Sequence, residues 1–173
     1  MLEVVDAKDP VLNSVATVDP FSTDIVWEDR EAEMFELMDR RFGIGLAAPQ
    51  IGDPYRMFVM KHSVHGPIGI YNPEIVETTG SVSMEEGCLT FPLLYMIMTR
   101  PESVKVRYTK TDGVTAVEET LTGIDARCFL HEYDHLQGVL FVNLVSDFKL
   151  KMAINKRDKR FTKLQRALAN KMA

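Results

Sequence analysis

The spacing of apolar residues changes period several times along the 173-residue chain. From about Asp24 to Phe42, Trp27, Met34, Phe35, Met38 and Phe42 recur on one helical face with acids between them, predicting an amphipathic helix packed on a core. Residues 1–22 carry Pro10 and Pro20 as breakers and read as irregular. The segment Gly43-Ile44-Gly45-Leu46-Ala47-Ala48-Pro49-Gln50 combines glycines, small residues and a proline, which predicts a tightly fitted loop. Strand-like runs follow at 55–61, 68–71 (ending at Asn72-Pro73), 94–99, 102–109 and 116–122, with Asp112-Gly113 as a hairpin signal between the last two. Thr122-Gly123-Ile124-Asp125 has the form of a capping box, so a second helix is predicted from there to Gly138. Leu150, Ile154, Phe161, Leu164 and Leu168 fall close to a heptad stripe interrupted by Arg157, predicting a C-terminal amphipathic helix. The order helix, several strands, helix argues for an α+β fold with a mainly antiparallel sheet.

Composition narrows the class. Apolar residues make up 46% and charged residues 26%, the balance of one ordinary globular domain. The first residues are acidic where a secretory signal needs basic ones, and no run is long enough to span a bilayer, so neither a leader nor a membrane role is expected. The two cysteines, Cys88 and Cys128, do not make a disulfide framework, and a reducing, cytoplasmic setting is expected. Charge divides the chain: residues 147–173 hold nine Lys/Arg against two acids, whereas 1–146 are strongly acidic. We therefore treat 1–146 as the body and 147–173 as a basic tail of the same domain, suited to an anionic partner.

The chemistry concentrates in His131-Glu132-Tyr133-Asp134-His135. On a helix, residues four apart share a face, so both imidazoles can reach one cation while Glu132 holds a proton beside it. A catalytic site needs a third protein ligand and an open position. Cys88, in Glu85-Glu86-Gly87-Cys88-Leu89-Thr90, is the best candidate, because a thiolate binds divalent iron or zinc well. Cys128 lies three residues before His131 and reads as a wall near the site. His62 and His65 have no cysteine or acid close by in sequence and read as solvated loop residues.

Three segments together resemble the peptide deformylases: Gly43–Gln50, Glu86-Gly87-Cys88-Leu89-Thr90 and His131–His135, with Asn72-Pro73-Glu74 and Gly138–Phe141 also similar. The resemblance implies antiparallel sheets around a central metal-binding helix. It also implies a metal-dependent hydrolase that removes the formyl group from the N-terminal formylmethionine of new polypeptides. It implies Cys88, His131 and His135 as ligands of one divalent ion, Fe(II) natively, with Zn, Ni or Co able to substitute. Glu132 is then the general base, and the Gln50 side-chain amide and Leu89 backbone N–H the oxyanion donors. Ile44, Gly45, Ile124 and Cys128 would border the substrate. Partners are nascent N-formylated polypeptides and, through the basic tail, the ribosome. Arg100 matches a structural arginine. Three features depart from the pattern: Leu130 replaces a glutamine, Arg127 stands where an apolar pocket residue is commoner, and residues 93–98 are unusually apolar. A metalloprotease is the nearest rival, but neither His nor Glu follows His135 to serve as its third ligand. A purely structural metal module would need four good ligands, and three are present.

Overall fold

The computed structural model describes residues 2–172, with the side chains of 168 and 170–172 outside the description. Strands β1 (Gly45–Ala47), β2 (Met57–His62), β3 (Gly66–Thr79), β6 (Ser103–Thr109) and β7 (Ala116–Thr122) form an antiparallel sheet in the order β1-β2-β3-β6-β7. Strands β4 (Val82–Cys88) and β5 (Phe91–Arg100) form a separate antiparallel hairpin. Helices α1 (Trp27–Arg40), α2 (Gly123–Leu136) and α3 (Asp147–Met172) complete the α+β fold.

Strand β2 explains the layering. Met57, Phe58, Val59 and Met60 are all buried, so this strand is covered on both faces. Met57 and Val59 meet Met34, Leu37 and Met38 of α1 on one side. Phe58 and Met60 meet Phe129, Leu130 and Ala126 of α2 on the other. The edge-on contact of Phe58 with Phe129, with centroids 5.2 Å apart, adds about 1 kcal/mol beyond its buried area. Helix α2 is thereby wedged between sheet and hairpin. A third apolar cluster seats Leu94, Met96 and Met98 of β5 against Phe141 and against Leu150 and Ile154 of α3. Farther along α3, Phe161 and Leu164 are about half exposed. Leu168, expected on the same stripe, lies outside the described side chains.

Several boundaries differ from the sequence reading. The Gly43–Gln50 segment is no plain loop: it supplies edge strand β1, then a single 3-10 turn. Strand β3 does not end at Asn72-Pro73 but runs on to Thr79. Asn72 adopts φ +48 and the register with β6 shifts there, so Pro73, which has no N–H, sits in a bulge where none is required. Strand β4 escaped the hydrophobic pattern because one of its inward positions is Glu86. The capping box does not form: the Thr122 side chain makes no cap bond, and Asp125 instead accepts from the Ser63 N–H at 3.0 Å and from the Ser63 hydroxyl.

Candidate metal centre

The second half of α2 carries His131, Glu132 and His135 into the interior, all at least nine-tenths buried. Strand β4 ends at Cys88 directly opposite. Possible ligand atoms of Cys88, His131 and His135 all lie within 4.8 Å of one another. Cys88 Sγ is 3.3 Å from His135 Nε2. The donor set fits a divalent cation: one thiolate and two imidazoles make three ligands, and the adjoining cavity leaves an approach for a fourth.

A polar scaffold behind the candidate ligands orients His131, whereas His135 Nδ1 is buried without a hydrogen-bond partner among the described residues. His131 Nδ1 lies 3.1 Å from Glu86 Oε2, so the ring donates there and its Nε2 lone pair is left for a cation. Glu86 also receives Arg100 Nε at 2.6 Å, Arg100 Nη2 at 3.0 Å and Arg127 Nη1 at 2.6 Å. Burial opposes the Glu86 anion, but hydrogen bonds from His131, Arg100 and Arg127 outweigh it and hold the carboxyl down at about 2. Arg100 reaches Asp134 at 2.7 Å as well. Glu86 was assigned no role from sequence; its inward register on β4 distinguishes it from the exposed Glu85 beside it. Arg127, at the position where an apolar pocket residue is commoner, forms polar ties. It is buried, and besides Glu86 it binds the carbonyls of Met98 at 3.0 Å and Val82 at 2.8 Å, riveting α2 to the hairpin that supplies Cys88.

His131, His135 and Glu132 on α2 settle differently. Burial works against charging His131, yet hydrogen bonds with Cys88 and Glu86 lift it to about 10. Burial, then the neighbouring His131 and Arg100, push His135 well down. Burial raises Glu132 to about 7, and its Oε2 is buried without a partner. That value lies in the range where a carboxyl group accepts and releases a proton at neutral pH. A cation taking these ligand atoms would displace the proton His131 shares with Cys88.

The cavity, about 400 Å³, is bordered by Ile44, Gly45, Gln50, Leu89, Ile124 and Cys128 as well as by His131 and Glu132. Every expected site residue therefore meets at this one place, His135 joining through the ligand trio. Gln50 Oε1 accepts the Ala47 N–H at 2.8 Å, which turns Nε2 toward Cys88 Sγ at 3.5 Å and Thr90 Oγ1 at 3.2 Å. Leu89 occupies the turn between β4 and β5. A Cβ on Gly45 would overlap the Glu132 carboxylate and come within 2.7 Å of Cys128 Sγ, so only glycine lets the chain pass there. Burial pushes the Cys128 thiol well up, and its Sγ lies 3.3 Å from the Ile44 carbonyl, so it lines the wall as a neutral group.

His62 and His65 differ from expectation. His62 is buried, and Glu119 completes a cluster whose possible ligand atoms lie within 4.8 Å of one another. His62 Nδ1 accepts the N–H groups of Val64 at 3.0 Å and His65 at 3.2 Å, so the lone pair of that nitrogen is engaged. Nε2 lies 3.6 Å from Glu119 and 3.9 Å from Asp125 and makes no hydrogen bond among the described residues.

Comparison with known proteins agrees with this geometry. A family model described as polypeptide deformylase matches residues 1–151. The peptide deformylase of Thermotoga petrophila is 43% identical over 143 residues, covering 82% of this chain and 85% of that one. The one from Rhodopseudomonas palustris strain TIE-1 is 41% identical, covering 79% and 83%. A crystal structure of a peptide deformylase from Legionella pneumophila superposes with TM-score 0.83 at 38% identity over 95% of this chain and 97% of that one. The Synechococcus elongatus enzyme, in complex with actinonin, gives TM-score 0.81 at 34% identity over 91% and 88%. The chain belongs to the peptide deformylase family, metal-dependent hydrolases that remove the N-formyl group from formylmethionine at the start of nascent polypeptides.

Proposed function

We propose that Cys88, His131 and His135 hold the catalytic ion and that Glu132, Gln50 and the Leu89 N–H carry out the deformylation around it. The observation that carries this assignment is the convergence of three buried ligand groups within 4.8 Å, beside a glutamate with one unpartnered oxygen. The bound divalent ion supplies an acidified water and a Lewis acid for the formyl carbonyl. Fe(II) is the native ion in this assignment, with Zn, Ni or Co able to replace it. Glu132 takes the proton of the attacking water as its oxygen bonds to the formyl carbon. The carbon–nitrogen bond then breaks, and Glu132 delivers the proton to the leaving amine, releasing formate and a free α-amine. Gln50 Nε2 and the Leu89 N–H stabilise the charge that develops on the former carbonyl oxygen. Ile44, Gly45, Ile124 and Cys128 border the methionine side chain, and the substrate backbone pairs along β1 like an added strand.

Glu132→Ala is expected to retain the metal, measured by elemental analysis, while formate release from formyl-Met-Ala falls by at least two orders of magnitude. Near-wild-type turnover would remove Glu132 from the mechanism. Anaerobic reconstitution with iron, nickel or zinc before the same assay ranks the ions.

Residues 1–146 form the catalytic body in this proposal, with 147–173 as a tail of the same domain acting in the cytoplasm. The second half of α3 carries Lys159, Arg160, Lys163 and Arg166 beside the half-exposed Phe161 and Leu164, which favours docking on ribosomal RNA. Deleting 149–173 is expected to abolish ribosome co-sedimentation at low salt; unchanged co-sedimentation would refute docking.

A further inference from the structure

Among the described residues, three non-glycine positions have positive φ: Phe42, Asn72 and Leu93. Asparagine tolerates this region, but a large apolar side chain there is strained by about 1 kcal/mol. Phe42 and Leu93 come from separate elements, and both border the catalytic cavity.

Phe42 has a specific structural setting. The Gly43 N–H bonds to the Met38 carbonyl at 2.8 Å and the Phe42 N–H to the Asp39 carbonyl at 3.0 Å. This pair of bonds is the Schellman ending of α1, in which the left-handed position is ordinarily glycine. Here a phenylalanine at φ +57, a residue 95% exposed, fills it. Nothing in the core uses that ring. Leu93 has an equally irregular setting. On β5, Phe91 pairs with Cys88 and Tyr95 with Gly87, so Pro92, Leu93 and Leu94 bulge between two adjacent partners. Leu93 sits in that bulge at φ +60. Phe91, Pro92 and the half-exposed Tyr95 continue the same apolar border. Two independent deviations that each place a large apolar group at one cavity mouth point to a ligand surface.

We propose that Phe42 and Leu93 are specificity-determining residues that select bulky apolar side chains at one of the two positions following formylmethionine. The occupant is the substrate's own continuation, because the rim is continuous with the cavity that receives its first residue. An extended peptide turns successive side chains to opposite sides, so one of two consecutive residues faces the rim in either register. This selection rests on the deformylase assignment and extends it beyond the first residue.

The test uses formyl-Met-X-Y peptides in which X or Y is singly varied among Leu, Phe and Ser, with kcat and KM measured on the metal-loaded enzyme. The wild type is expected to favour Leu or Phe over Ser by about tenfold in kcat/KM at one position, mainly through KM. In Phe42→Gly/Leu93→Gly that ratio is expected to fall to twofold or less. Glycine suits both backbones, so the thermal midpoint of Phe42→Gly is expected to hold or rise, which separates lost selection from lost folding. Formate release with no preference at either position overturns the proposal while leaving the deformylase assignment intact. An undiminished preference in the double variant also overturns it.

Discussion

The floor and the rim of the cavity are built on opposite terms. On the floor, Glu86 binds two guanidinium groups and an imidazole, and each of these is itself tied to further groups. The rim is apolar, and Phe42 and Leu93 stand on left-handed backbone. A metal centre requires ligands held within a fraction of an ångström, which interlocked buried bonds provide. A rim that meets chains of varying sequence needs exposed apolar area, and backbone strain is tolerable there because neighbouring elements hold the chain in place.

The largest effect should come from breaking the floor. Glu86→Leu leaves Arg100 and Arg127 facing each other without their shared anion and frees the His131 ring. We expect about 3–5 kcal/mol loss of unfolding free energy by denaturant titration and a 10- to 100-fold weaker hold on the metal in chelator competition. A loss below about 1 kcal/mol would show that the network is incidental. The same anion gives a pH signature. Its carboxyl is held at about 2, below the ordinary 4.5. The unfolded chain therefore binds the proton first, and the contribution is complete above about 4.5 and lost as pH falls toward 2. Stability measured across that window should slope more steeply in the wild type than in Glu86→Gln.

The contrast also marks how far the sequence is readable. The two proposed metal ligands on α2 were legible because helical periodicity fixes which residues share a face: His131 and His135 are neighbours by geometry alone. Helix α1 and most of the large sheet followed from apolar period, whereas α2 was drawn from signals at its two ends, of which the capping box does not form. Glu86 was not legible, since its burial depends on the register of a hairpin whose inward row mixes Val82, Met84, Glu86 and Cys88. The His62–Glu119 contact was hidden for a related reason: it joins β2 to β7, which are not neighbours in the sheet order. Arg127 looked misplaced in an apolar wall because its partners, the carbonyls of Val82 and Met98, have no sequence signature. Local pattern reports a residue's own element, whereas these three depend on which other element lies opposite.

The smallest expected effect tests the same boundary within α2. Its second half belongs to the floor, while its first turn, with Ile124 half exposed, belongs to the rim. By sequence Thr122 should cap this helix. In the structure its side chain makes no cap bond, and Asp125, the other half of the expected box, is engaged with Ser63 instead. A working Thr cap is worth about 1 kcal/mol on replacement by Ala. Thr122→Ala is therefore expected to change unfolding free energy by less than about 0.5 kcal/mol, the range of an ordinary surface substitution. Asp125→Ala should cost more, because it releases both the Ser63 backbone and its hydroxyl. Equal losses of about 1 kcal/mol in both variants, coupled in the double mutant, would restore the capping box and make the first turn of α2 as tightly specified as the floor.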